Sequence, residues 1–256
     1  MVMNVGAVLI GLVTGFTSAF FGIGGSSIDT PVIRTFLNLP PLQALATPLP
    51  LTILTASIAI FSYHKVSLIH YRVAGLTLLT AFPAMIIGSF ATAIIPGKFL
   101  MLFTAVVLVL VGIDFIVKDL VEKSFAMLDY PEERPAWKIL IVGGVIGILS
   151  GVLANGGGIF FVPAFIALFG LKIKEAIATS LLVVLIIALP GAAVQASLGH
   201  VNLVVMLSLA LGVIPMAYLG AKLDIKTKSK VVMLLYGITM VVFGIYFFAN
   251  QLMVKF

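Results

Sequence analysis

Five stretches of this chain, Thr35–His64, Val73–Gly97, Ile139–Leu171, Ala176–Ala221 and Val231–Val254, contain no Asp, Glu, Lys or Arg. Segments this long and uncharged have few physical solutions. A helix rises 1.5 Å per residue, so about 20 apolar residues cross the hydrocarbon core of a bilayer. Six segments reach that length: 43–62, 73–95, 98–117, 175–197, 202–221 and 231–250. They lack the period-two alternation of a transmembrane barrel, which predicts an all-α polytopic membrane protein. Composition agrees, because 62% hydrophobic against 9% charged residues is too apolar for one soluble core of 256 residues. The absence of cysteine excludes disulfides, thiolate nucleophiles and cysteine metal sites. The net charge of +6 reads as membrane topology rather than nucleic-acid binding, because the basic residues lie between the apolar segments.

Two apolar stretches are broken. Val5–Phe21 stops at Gly22-Ile23-Gly24-Gly25-Ser26-Ser27 and is followed by a short arm to Asn38. Ile139–Leu153 stops at Asn155-Gly156-Gly157-Gly158 and is followed by a short arm to Gly170. Consecutive glycines destabilise helix, and a second arm of about 16 Å covers half a membrane. Each stretch therefore predicts a glycine-broken hairpin, over 5–38 and 139–170. Such backbone survives at membrane depth only inside protein or beside a cavity.

The two breaks are copies of one another. At an offset of 132, Gly11, Val13, Gly15, Ser18, Gly24, Gly25 and Pro31 fall on Gly143, Val145, Gly147, Ser150, Gly156, Gly157 and Pro163. Leu39, Ala44, Ala46, Thr47 and Leu49 then fall on Leu171, Ala176, Ala178, Thr179 and Leu181. The chain thus divides into a first repeat (1–117), a linker (118–138) and a second repeat (139–256). Each repeat holds one hairpin followed by three transmembrane helices.

Charge sets the expected orientation. If each hairpin returns to its own side, loops 62–72, 118–138, 170–175 and 222–230 share one face and hold 12 of the 15 basic residues. By the positive-inside rule that face is cytoplasmic. The repeats are then inverted relative to one another, and both termini lie outside the plasma membrane.

Two inverted hairpins meeting at the midplane would aim two helix N-termini into one chamber. Each carries unpaired N–H groups and about half a positive charge, which suits a small anion. The candidate substrate-binding residues are Gly24, Gly25, Ser26, Ser27, Thr30, Arg34, Thr47, Asn155, Gly156, Gly157, Gly158 and Thr179. Ser26 and Ser27 also suit helix capping, and Thr47 and Thr179 also suit bonds to their own helix backbone. Gln43 and Gln195 are further candidate lining donors. Asp29 has three readings: stabiliser of its own helix N-terminus, carrier of a coupling proton or cation, or partner of Arg34. Arg34 can pair with an oxyanion or snorkel to the interface. No cofactor, metal site or nucleic-acid partner is expected, and the sequence leaves the oligomeric state open.

The pattern Gly15…Ser18…Gly22-Ile23-Gly24-Gly25…Pro31, repeated as Gly147…Ser150-Gly151…Asn155-Gly156-Gly157-Gly158…Pro163, resembles the TauE/SafE family. So do Ala44-x-Ala46-Thr47 and Ala176-x-Ala178-Thr179-Ser180, and Gly199-His200-Val201-Asn202 with Gly212, Pro215 and Gly220-Ala221. The first break departs from the family's glycine triplet at Ser26. The resemblance implies a permease, usually an exporter, for a small organosulfur anion such as sulfite, sulfoacetate or another sulfonate. Alternating access around a midplane site is the expected mechanism. An anion channel or accessory membrane subunit is the alternative. An intramembrane enzyme is disfavoured, since neither G-x-S-x-G nor H-E-x-x-H occurs.

Overall fold

A computed structural model of the chain describes residues 5–24, 26–125 and 135–253. Those residues form α1 (Val5–Phe21), α2 (Ser26–Phe36), α3 (Pro41–Ala46), α4 (Leu49–His64), α5 (Tyr71–Ala91), α6 (Gly97–Phe125), α7 (Ala136–Val152), α8 (Gly158–Phe169), α9 (Ile173–Ser197), α10 (Leu203–Lys226) and α11 (Ser229–Met253). Six spans are long and apolar enough to cross a membrane: α3 with α4 (Pro41–His64), α5, α6 to Val117, α9, α10, and α11 to Gln251. The chain is an all-helical, multi-pass membrane protein.

Helix ends depart from the sequence expectation where local chemistry decides them. The second long helix was expected to run to 95 and stops at Ala91. There the Thr92 hydroxyl donates to the Ser89 carbonyl at 2.7 Å, and Pro96 follows. The third continues past 117 to Phe125, because Lys118–Phe125 contains neither glycine nor proline. The linker is thus helical over its first residues. Residues 126–134, and the expectations for them, lie outside the described residues.

Helix packing is organised by close approach at small residues, as in other membrane bundles. Gly11 and Gly15 of α1 abut Leu209 and Val213 of α10, so these helices run parallel. Gly143, Gly147 and Gly151 of α7 abut Thr77, Ala81 and Met85 of α5, again in parallel. The α4 helix joins the first pair, with Thr47 bonded to Asn202 and Tyr63 to Asp224. The α9 helix joins the second, with Thr179 bonded to His70 and Gln195 to Thr92. Two parallel trios result: α1, α4 and α10, and α7, α9 and α5. Each trio contains one helix from the other half of the chain.

Equivalent helices run in opposite directions. Gly112 of α6 meets Gly237 and Val241 of α11, while Gly244 of α11 meets Val109 and Leu108 of α6. In the same sense, Leu49 of α4 lies beside Gly191 of α9, and Thr52 beside Val184.

The arms α1 and α2 form a hairpin. Both α1 and α4 run parallel to α10, so the chain must return between them, and α2 makes that return. The pair α7 and α8 does the same before α9. Three basic loops consequently sit together. His70 Nε2 lies 3.5 Å from Glu175 Oε2, and Lys174 Nζ donates to the Ile225 carbonyl at 2.8 Å.

Candidate functional site

Both hairpins bend through the same backbone device. In the first, Ile23 N–H donates to the Ser18 carbonyl at 3.1 Å across Gly22, whose φ is 71°. In the second, Asn155 N–H donates to the Ser150 carbonyl at 3.2 Å across Ala154, whose φ is 47°. This is the six-to-one bond of a helix C-cap with a left-handed residue inside it. Glycine adopts that conformation freely, whereas Ala154 does so at a cost of about 1–2 kcal/mol. Gly24 (φ 82°) and Gly156 (φ 68°) then turn the chain a second time. After that turn α2 begins at Ser26 and α8 at Gly158.

The two elbows meet. A Cβ built on Gly24 would lie 2.6 Å from Val184 Cγ1 and 2.9 Å from Thr52 Cγ2. On Gly156 it would lie 3.1 Å from Thr52 Cγ2 and 3.3 Å from Val184 Cγ1. Thr52 and Val184 are themselves equivalent positions at the offset of 132, each about halfway along its membrane span. A Cβ on Gly158 would strike the carbonyls of Ile23 and Gly22. The elbows are therefore in backbone contact; a methyl group would clash at Gly24 and Gly158 and would fit only tightly at Gly156. No chamber separates the elbows at Gly24 and Gly158. Ser180 of α9 reinforces the contact, its hydroxyl donating to the Gly22 carbonyl at 3.1 Å.

The other candidate residues divide by location. Gly157 (φ 82°) precedes α8, and its N–H donates to Asn155 Oδ1 at 3.0 Å, so Asn155 is occupied in shaping the elbow. The Thr30 hydroxyl donates to the Ser26 carbonyl at 2.7 Å within α2. Ser26 and Asp29 are buried, and Ser26 Oγ and Asp29 Oδ1 have no hydrogen-bond partner among the described residues. Arg34 lies at the far end of α2, where Nη1 donates to the Leu39 carbonyl at 2.6 Å. Gly25, and the side chain of Ser27, lie outside the described residues.

Thr47 and Thr179 are engaged at helix starts. Thr47 Oγ1 accepts from Asn202 N–H at 3.0 Å, and Thr179 Oγ1 accepts from His70 N–H at 3.0 Å. Asn202 and His70 are the N-cap residues of α10 and α5, so each threonine ties the start of a helix from the opposite repeat. Gln195 is likewise engaged, with Nε2 donating to Thr92 Oγ1 at 3.1 Å and Oε1 lying 2.8 Å from His200 Nδ1. Sequence reading missed Thr52 and Val184, although the repeat offset that aligns the glycines also pairs them. It likewise missed Thr14 and Ser18, which lie on the arm opposite Asp29.

Comparison with known proteins places this architecture. The family model described as Sulfite exporter TauE/SafE matches residues 7–247. The chain is 23% identical to the probable membrane transporter protein YunE of Bacillus subtilis, over 93% of this chain and 94% of that one. It is 25% identical to the probable membrane transporter protein YjnA of the same organism, over 87% of this chain and 91% of that one. It is 28% identical to a probable membrane transporter protein of Haemophilus influenzae, over 65% of this chain and 62% of that one. No solved structure matches. An all-helical chain with six long apolar spans, matched by the family model from the first arm into the last helix, is a member of the TauE/SafE family of membrane transporters.

Proposed function

We propose that this protein is a secondary carrier, working as an exporter, for a small organosulfur anion such as sulfite, sulfoacetate or another sulfonate. One observation carries the reading. The α2 and α8 helices begin at two glycine elbows that touch midway along the central spans, beside Thr52 and Val184. Unpaired N–H groups and the positive helix ends at that point favour an oxyanion in a place where lipid and water are excluded. Bare glycine backbone lets the anion approach the N–H groups directly. The antiparallel running of α6 against α11 and of α4 against α9 supports an inverted repeat.

The closed contact between the elbows defines the motion required. Substrate enters only when one hairpin withdraws from the other, and the two parallel trios are the bodies that move. Inversion of the repeat makes the opening to either side equivalent in mechanics. The basic loops that sit together are assigned to the cytoplasm, the linker 118–138 with them, and both termini to the outside. The membrane is the plasma membrane, and the chain performs no covalent chemistry.

The test is flux through the purified full-length protein in liposomes. A carrier shows saturable uptake of labelled sulfite or sulfoacetate, accelerated by unlabelled anion inside. A channel passes current without that acceleration. Absence of both for sulfite, thiosulfate, sulfoacetate, taurine and sulfate overturns the reading.

A further inference from the structure

The two elbows differ in one respect that the repeat does not require. In the second hairpin, Phe161 of α8 packs over Gly157 and Ser150, and the Ser150 hydroxyl is satisfied by the Ile146 carbonyl at 2.6 Å. The position equivalent to Phe161 in the first hairpin is Asp29. Asp29 is 1% exposed and in hydrogen-bond contact with Thr14 of α1. The Thr14 hydroxyl is itself directed at the Ile10 carbonyl at 3.0 Å.

The hairpin geometry extends this contact towards the elbow. The arms run in opposite directions, so Ser18 of α1 and Ser26 of α2 both lie on the elbow side of the Thr14–Asp29 contact. Ser18 Oγ, Ser26 Oγ and Asp29 Oδ1 are all buried and without a hydrogen-bond partner among the described residues. Three unsatisfied buried oxygens on the two arms of one hairpin are costly unless a ligand visits them.

The surroundings supply little countercharge. Among the helices packed on α2, α1 and α3 contain no titratable side chain. The α4 helix has Tyr63, whose hydroxyl is committed to Asp224, and His64 at its outer end beside Tyr71. The α11 helix has Lys230 near its start, Tyr236, whose ring stacks on Phe115, and Tyr246, which is exposed. Within α2, Arg34 reaches away to the Leu39 carbonyl. An ionised carboxylate in such a place is expensive, and a proton relieves it.

We propose that Asp29, with Thr14, Ser18 and Ser26, is a proton-binding site whose occupancy admits the anion to the first elbow. This rests on the carrier reading above. Ionised, the Asp29 carboxylate occupies the positive end of its own helix and repels an arriving anion. Protonated, it donates to Thr14 while Thr14 donates to Ile10, and the α2 N-terminus is released to the substrate. Proton and anion then bind together at the first elbow only, and the second elbow, closed over by Phe161, takes no part in the proton step.

Infrared difference spectroscopy of the full-length protein in liposomes tests this without requiring transport. A protonated-carboxyl band at neutral pH should vanish in Asp29→Asn, move in Asp29→Glu and intensify when sulfoacetate is added. The ratio of sulfoacetate uptake with and without an inward proton gradient should fall from several-fold to one in Asp29→Asn. A band that is absent, or that persists in Asp29→Asn, overturns the proposal. So does a requirement for sodium in place of the gradient, or a band that ignores a bound anion. If the band vanishes in Asp29→Asn and moves in Asp29→Glu while no anion binds, the proton site stands and the carrier reading falls. The wild-type band and its shift in Asp29→Glu decide the matter even if Asp29→Asn does not fold.

Discussion

The hydroxyl of Tyr63 donates to Asp224 Oδ2 at 2.7 Å, and the equivalent positions in the other trio, Gln195 and Thr92, are joined at 3.1 Å by a neutral bond. The same fastening is built once with a carboxylate and once without. Tyr63 also lies 3.4 Å from the Ala19 carbonyl, so the charged version links all three members of its trio. Both Tyr63 and Asp224 are fully buried, and loss of either partner leaves a polar group stranded.

Tyr63→Phe should therefore lower stability by about 1–3 kcal/mol, the ordinary cost of an orphaned buried acceptor. Asp224→Asn, which keeps a partner for the hydroxyl, should cost less. Thermal unfolding in detergent of the two variants and their combination gives the coupling, which should be positive. Additive losses would show that the bond contributes nothing.

The threonine ties make a paired prediction. Thr47→Val and Thr179→Val each strand a helix-start N–H and should each cost about 1–2 kcal/mol, while the serine variants at both positions should be close to wild type. Melting temperatures check this. If the valine variants melt normally and lose only sulfite or sulfoacetate binding, the threonines belong to the substrate site instead.

Gly24 tests the elbow contact by rescue. Gly24→Ala places a methyl against Val184 at a left-handed backbone position, and strain of about 1–2 kcal/mol adds to the clash. Uptake should be lost with membrane insertion retained. Val184→Ala in the same chain should restore part of the uptake, because it removes the nearer obstacle but not the strain. Equal loss in the single and double variants would mean that the contact is not what limits function.

His200 gives a pH prediction outside the membrane. It lies in the turn between α9 and α10, and partial burial lowers its pKa from the usual value. Unfolded histidine takes up a proton near pH 6.5, whereas the folded form does so only at lower pH. Protons therefore favour the unfolded chain once pH falls through that range, and stability should decline there slightly. His200→Gln should flatten the melting-temperature profile between about pH 6.5 and 5. An unchanged slope would assign the acid sensitivity elsewhere.

Single introduced cysteines test orientation cleanly, since the chain has none of its own. Cysteines at Lys65 and Lys228 should resist an impermeant thiol reagent in intact cells. Cysteines at Lys98 and His200 should react. The reverse pattern would invert the assigned topology.

Much of this fold was legible in the sequence because the membrane imposes simple rules. Uncharged runs of a fixed minimum length become spans, and clustered glycines cannot stay helical, so six spans and two elbows could be located from residues alone. What the residues could not reveal was lateral arrangement. Nothing in α1 announces that its neighbour is α10, because glycine faces in α1, α5, α7 and α10 are interchangeable until packing selects among them. The residues alone located the chain breaks at Gly24, Gly156 and Gly158, where clustered glycine decides the backbone. They did not reveal that Thr47 and Thr179 accept from a helix-start N–H, because such a hydroxyl suits a ligand and a neighbouring donor equally.

The exchange of helices between the two halves has a consequence for synthesis. The α1 helix leaves the ribosome well before the surface it lies against, α10. Through most of translation its glycine flank faces lipid or another membrane factor. Only when α10 arrives does α1 acquire this contact, so a truncated product ending before Leu203 should be a substrate for quality-control proteolysis rather than a half-carrier.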